Sequence, residues 1–216
     1  MKFDFPKVFQ QLSSEQRVFW EYYKECVLNI EKLYTVSTSI SPNITDFLLI
    51  NTKNAYRVLN SWNVMDKNNS FKLVMLEYKS YQDFASVTGG SRHYYYDPYL
   101  IGMLNTFEDF GHVLIRPETF ADKIIEIFNG IETDFAGHRK FSNMFYVISD
   151  NKEKTLVDLK NSFLDFFIQF PKLEVEFLNK KCVFRLEKAI DFAETEMLCK
   201  IGMKLDAMFK LHKTTH

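Results

Sequence analysis

Three features of the chain predict an α+β fold: an N-terminal helix, an antiparallel sheet with helices packed on one face, and a long C-terminal helix. The first is the order of patterns from His112 to Glu187, which reads strand, helix, strand pair, helix, hairpin. The second is a run of β-rich segments between Thr45 and Tyr81 joined by short polar turns, which an antiparallel meander connects most economically. The third is a closing stretch with apolar residues at spacings of three and four. One domain over residues 1–216 is expected. It divides into a helical lead-in (1–35), a β-meander (45–81), a long loop (82–111) and a βαββαββα core (112–211).

The lead-in opens with Ser13 and Gln16 in a capping-box arrangement, in which each side chain satisfies a backbone N–H of the first helical turn. Phe19, Tyr22, Cys26, Ile30 and Leu33 then share one face, so a helix is expected to about Tyr34 with that face packed on its own domain. Thr35–Asn43, rich in Ser and Thr and containing Pro42, reads as a connector. Thr45–Asn51, Ala55–Val64 and Phe71–Tyr81 have strand composition. In the last of these the alternation is imperfect, and one face is expected to be half wet.

Gln82–Gly111 reads as a loop whose length points to function. It holds Gly89-Gly90 and a dense aromatic patch, Ser91–Tyr99, followed by a spacing compatible with a short helix at Tyr99–Phe110. Arg92, His93, Tyr94, Tyr95, Tyr96, Asp97 and Tyr99 are the binding candidates. Tyr and Arg bring large area plus a polar handle to interfaces at low entropic cost. A protein partner through residues 89–99 is therefore expected.

From His112 the signals sharpen. Val113-Leu114-Ile115 is a buried-strand run, Pro117 suits the first turn of a helix to Phe128, and Gly130 suits its C-terminal cap. Ile131–Ser149 reads as a strand pair bent through Gly137. Asp150 and Glu153 mark the start of a helix, continued by Leu156, Leu159, Phe163, Phe166, Phe167 and Phe170 and ended by Pro171. Leu173–Leu186 is a hairpin turning at Asn179-Lys180-Lys181. Leu186, Ile190, Ala193, Met197, Ile201, Leu205 and Met208 set the core face of the last helix.

Several function classes are disfavoured by composition. With 27 basic and 28 acidic residues the chain has no global field to gather phosphates, and no nucleic-acid partner is expected. Seven glycines leave little room for a Gly-rich phosphate cradle. Cys26, Cys182 and Cys199 are odd in number and far apart, which suits reduced thiols in a cytoplasmic protein. The N-terminus lacks a signal-peptide pattern, and no run of 18 apolar residues offers a transmembrane segment. No cofactor is expected.

Two patterns suit enzymatic roles. Glu132/Asp134 and Glu174/Glu176 are acidic pairs two apart on strands, so each pair shares a face, and adjoining strands would let four carboxylates hold a divalent cation for a metal-assisted hydrolase. The preferred reading is a solvated sheet face, with the metal role as the alternative. His138 and Arg139, in the bend at 136–140, would supply a base and an anion clamp, but no nucleophile stands at a recognised spacing from them. Ser142, Ser149 and Cys182 lie in no nucleophile-elbow or papain-like context.

Val-Leu-Ile-Arg-Pro (113–117), Ile-Glu-Thr-Asp-Phe (131–135) and Phe-Ser-Asn-Met-Phe-Tyr-Val-Ile-Ser-Asp (141–150), followed by a helix and a hairpin, resemble a bacterial domain-of-unknown-function family with a Phe-bracketed Val-x-Ser-Asp strand. The resemblance covers the last half of the chain well and 45–81 loosely. Its members often carry the domain behind transmembrane segments, which would make the chain a soluble regulator of a membrane protein. It brings no catalytic residues. The expectation carried forward is a non-catalytic binding or scaffold module.

Overall fold

A computed structural model describes residues 14–51, 56–84, 91–118, 131–186 and 190–213. Helix α1 (Ser14–Asn29) runs into a 3₁₀ turn (Ile30–Lys32) and strand β1 (Thr35–Thr38). A single helical turn, α2 (Leu48–Asn51), precedes β2 (Tyr56–Met65), β3 (Ser70–Phe84), β4 (Ser91–Asn105) and β5 (Val113–Pro117). Then come β6 (Ile131–Glu132), α3 (Arg139–Ser142), β7 (Phe145–Ser149), α4 (Lys152–Asp158), α5 (Asn161–Ile168), β8 (Leu173–Leu178), β9 (Lys181–Leu186) and α6 (Phe192–Lys213). The α+β fold class holds. All described strands form one antiparallel sheet in the order β1-β2-β3-β4-β9-β8-β5-β7-β6.

Side-chain alternation divides the core in two. Phe71, Leu73 and Met75 of β3, with Val175 and Phe177 of β8, join Trp20, Val27, Phe163, Phe167, Leu198 and Ile201 from α1, α5 and α6. Val74, Leu76, Ile101, Met103 and Val183 point the other way and meet Ile44, Phe47 and Ile50. The long helices thus cover one face, and the short segment 44–51 covers part of the other. Two glycines permit close approach on the helical face. A Cβ on Gly102 would lie 1.9 Å from the Phe184 ring, and one on Gly202 would lie 2.7 Å from Phe71, so α6 seats directly on the β3 ring.

The expected β8–β9 hairpin forms, but its turn is two residues rather than three, because Lys181 already belongs to β9. Leu178 pairs with Lys181, and Asn179 and Lys180 between them have φ 50° and 58°. Both left-handed conformations match a turn whose twist suits the flanking strands, and Asn tolerates that region better than most residues.

Other expectations are corrected. Thr45–Asn51 is not a strand. The Asn43 side chain accepts from the Thr45 N–H (3.1 Å) and hydroxyl (2.8 Å), turning the chain into α2. The connector after α1 contains edge strand β1. Gln82–Gly111 is largely strand rather than loop, because β3 and β4 pair without interruption from Lys72↔Met103 to Phe84↔Ser91, and no helix forms at 99–110. The tyrosines that suggested a binding loop are also good strand formers. Pro98 is tolerated because among the described residues β9 joins β4 only at 102–105, which leaves Pro98 on an edge.

The expected strand pair at 131–149 exists as β6 and β7, with α3 inserted between them. Pro117 ends β5 instead of opening a helix, and the helix expected beyond it falls outside the described residues, as does Ser13. One expected helix at 151–170 is two, broken at Leu159-Lys160, and its cap is Asn151 rather than Asp150, its side chain accepting from the Lys154 N–H at 3.0 Å.

The expected helix faces hold in part: Cys26, Ile30, Ile190, Ile201 and Leu205 are buried as expected, but other positions on those faces are not. On α1 the buried residues are Trp20, Cys26, Val27 and Ile30, while Phe19, Tyr22 and Leu33 are exposed. On α6 Leu198, Ile201, Leu205 and Phe209 are buried and Met197 is exposed. Nor is either face of β3 half wet between residues 71 and 78, where every residue apart from Lys72 is buried.

Candidate functional site

The sharpest departure from the sequence reading is the acidic pair of β8. Glu174 and Glu176 are not on a solvated face: they are 2% and 0% exposed. Their side of the sheet is covered by 44–51, and charge buried there must be matched. Glu174 accepts from Arg116 Nε of β5 at 2.7 Å and from Arg185 Nε of β9, which stands opposite it in the hairpin. Burial pushes the Glu174 carboxyl upward, but Arg185 and then Arg116 outweigh it and hold the group below the usual carboxylate range. Burial pulls the Arg185 guanidinium down, and Glu174 more than restores it.

Glu176 does a different task. A single turn of helix leaves its first N–H and last C=O groups without intrahelical partners. Glu176 accepts from the N–H groups of Leu48 (3.0 Å) and Leu49 (2.8 Å), and its Oε1 lies 2.7 Å from His112 Nε2. At the other end, Arg185 Nη1 donates to the Leu49 carbonyl (2.7 Å) and the Tyr78 hydroxyl to that of Ile50 (3.1 Å). Three sheet side chains, Glu176, Arg185 and Tyr78, therefore supply the partners that α2 cannot supply for itself. Burial pushes the Tyr78 phenol up to about 12, so it stays a donor. The acids of this cluster are engaged by arginines and backbone amides, an arrangement that fixes a segment to a sheet.

Glu132 and Asp134 are exposed. Strands β5 and β7 separate β6 from β8, so the two acidic pairs stand about 14 Å apart, three strand spacings. Four carboxylates do not converge. Among the described residues no group of three or more His, Cys, Asp or Glu is placed to hold a metal ion. His138 lies 3.3 Å from Asp165, and Arg139 is exposed at the start of α3. The Ser142 hydroxyl accepts from the Phe135 N–H at 3.1 Å, and Ser149 is buried 3.2 Å from the Thr133 hydroxyl. Cys182 is buried, and its thiol is pushed well up by that burial and by Glu176. Among the described residues, no hydrogen bond joins Ser142, Ser149 or Cys182 to a histidine, so the His138–Asp165 pair stands without a nucleophile.

The aromatic patch remains on the surface. Beyond the Tyr78↔Asp97 pair, β3 and β4 have no other described strand beside them and continue as a two-stranded arm to Phe84 and Ser91. Tyr94 and Tyr95 are 48% and 45% exposed and point to opposite sides of the arm, as successive strand residues must. Lys79 Nζ lies 4.0 Å from the Tyr94 ring centroid, a cation–π contact on an open surface. Asp97 is exposed, and Tyr99 folds inward edge-on to Tyr78 with centroids 5.0 Å apart. Side chains of Arg92, His93 and Tyr96 lie outside the described residues. Thus the structure leaves Tyr95 and Asp97 on one side of the arm and Tyr94 on the other, and packs the half-buried Tyr99 against the core.

No described helix is long and apolar enough to cross a membrane. Comparisons with protein-family models, with curated proteins and with solved structures found no match.

Proposed function

We propose that this chain is a non-catalytic binding or scaffold module whose contact surface is the outer part of the β3–β4 arm. The observation that carries the reading is the half-exposure of Tyr94 and Tyr95 on a two-stranded projection. Large amphipathic rings half-exposed on a strand pair offer contact area with little ordering cost when a protein partner binds. The buried acids support the same reading from the other side. Glu174 and Glu176 are already committed to Arg116, Arg185 and α2, so the metal-assisted hydrolase has lost two of its four ligands to the fold. Kinship with the bacterial family that the chain resembles, and a cytoplasmic location, belong to the same proposal.

A benzophenone amino acid placed at Tyr95 tests it. Irradiation in cells should give a discrete adduct with a protein, absent when the same group replaces exposed Lys140 on α3. Identical patterns at the two positions would overturn the reading.

A further inference from the structure

Among the described residues the sheet ends on β1, and the residues there define how another strand would add. We infer that β1 is a self-association edge, at which two copies of this chain pair antiparallel about a two-fold axis through Ser37.

The hydrogen-bond parity of β1 fixes the register. Its pairing with β2 runs from Thr35↔Met65 to Thr38↔Trp62, and the Ser39 N–H donates to the Ser61 carbonyl at 2.9 Å. Bonded pairs alternate along an antiparallel ladder, so Thr35, Ser37 and Ser39 direct their N–H and C=O groups toward β2. Val36 and Thr38 direct theirs outward. Two copies related by a two-fold axis engage all of those outward groups in one register only: Val36 opposite the second copy's Thr38, and Ser37 opposite Ser37. That register makes four backbone hydrogen bonds. Centring on Val36 or Thr38 instead leaves only two within the strand.

Several observations favour a second copy as the occupant. From Thr35 to Asn43 the chain carries no charge, so self-pairing sets no like charges against each other. The usual defences of an edge, an inserted charge, a proline or a bulge, are absent from β1. Beyond β1 the Ile40 carbonyl accepts from Lys72 Nζ at 3.3 Å, so the ladder between copies is confined to Val36 and Thr38, while the Ile40 side chain, 88% exposed, lies beside the second copy's Tyr34. The opposite edge, β6, is two residues long and carries Glu132. A four-residue edge buries far less than the roughly 800 Å² per partner of a stable complex, so the dimer is a weak one.

Cysteine scanning reads the register directly. Facing residues of a non-hydrogen-bonded pair have Cα atoms about 4.5 Å apart, within disulfide range. Under mild oxidant Ser37→Cys should form a covalent dimer at least about tenfold faster than the exposed control Lys140→Cys, as expected for a preformed encounter with high effective concentration. The native cysteines are buried among the described residues and contribute little background. In parallel, sedimentation of the unmodified chain should show concentration-dependent dimerisation, lost in Thr38→Pro. That proline removes an outward N–H and leaves the β1–β2 bonds in place, so thermal unfolding should be unchanged. Equal cross-linking at residues 37 and 140, a strictly monomeric native chain, or a dimer that survives Thr38→Pro would each overturn the inference.

Discussion

Replacing Glu174 with Gln removes one negative charge from between two guanidinium groups while keeping nearly the same shape. In the native protein both carboxylate oxygens accept from arginine, Oε1 from Arg116 and Oε2 from Arg185, and the carboxylate is 2% exposed. Charge-assisted hydrogen bonds of this kind contribute about 1.5–3 kcal/mol each. The amide of Gln retains one acceptor, so one bond survives in weaker form, but two guanidinium groups then face each other without a counter-charge. Breaking a buried pair this way costs about 3–5 kcal/mol. Against a total stability of about 5–15 kcal/mol for a domain, that is a large share. Urea unfolding followed by tryptophan fluorescence measures it, since Trp62 is fully buried. The midpoint should fall while the slope stays constant. A loss below about 0.5 kcal/mol, the range of ordinary surface changes, would show that the cluster is solvated after all.

The same cluster predicts an acid-side loss of stability. Because the folded Glu174 pKa lies below its unfolded value, its contribution is fully present above about pH 5 and is lost as pH falls past the ordinary carboxylate pKa toward the folded one. Glu174→Gln should flatten that part of the pH–stability curve, and an unchanged slope would count against the assignment. Glu176→Ala removes the acceptor of the Leu48 and Leu49 N–H groups, so amide exchange at those two positions should accelerate to the level of the surrounding surface; continued protection would mean that α2 is held by packing alone. Gly102→Ala drives a methyl into the Phe184 ring and should cost about 1–3 kcal/mol, partly recovered by adding Phe184→Leu. Additive costs in that pair would show that the ring is not the obstacle.

The parts of the fold legible in the sequence were those fixed by local pattern. The β8–β9 hairpin followed from alternation and its polar turn, but the turn is Asn179-Lys180 alone rather than three residues, and that one-residue difference sets Arg185 rather than Leu186 opposite Glu174. Had the turn been read as two residues, an acid and an arginine at equal distance from it would have revealed half the buried cluster. Arg116 was not legible, because β5 joins β8 across a long excursion of the chain. The role of α2 was hidden for a related reason: Phe47, Leu49 and Ile50 have strand composition, and side chains distant in sequence, Tyr78, Glu176 and Arg185, make a single helical turn stable there. Helix α1 misled because both Phe19 and Trp20 offer apolar faces, and tertiary packing chose the second. The arm was misread because Gly89-Gly90 and Pro98 punctuate it like a loop, whereas β3 supplies a partner for the whole stretch.

The central claim is that Tyr94 and Tyr95 serve contact rather than packing. It is tested most directly by the double variant Tyr94→Ala/Tyr95→Ala, measured for stability and for cross-linked adduct through a benzophenone group at Asp97, exposed on the same arm. Half-exposed rings contribute little to the fold, so the unfolding free energy should change by less than about 1 kcal/mol while the adduct disappears. A loss of about 3 kcal/mol or more, the range of a buried ring, or an adduct that persists at full yield, would contradict the account.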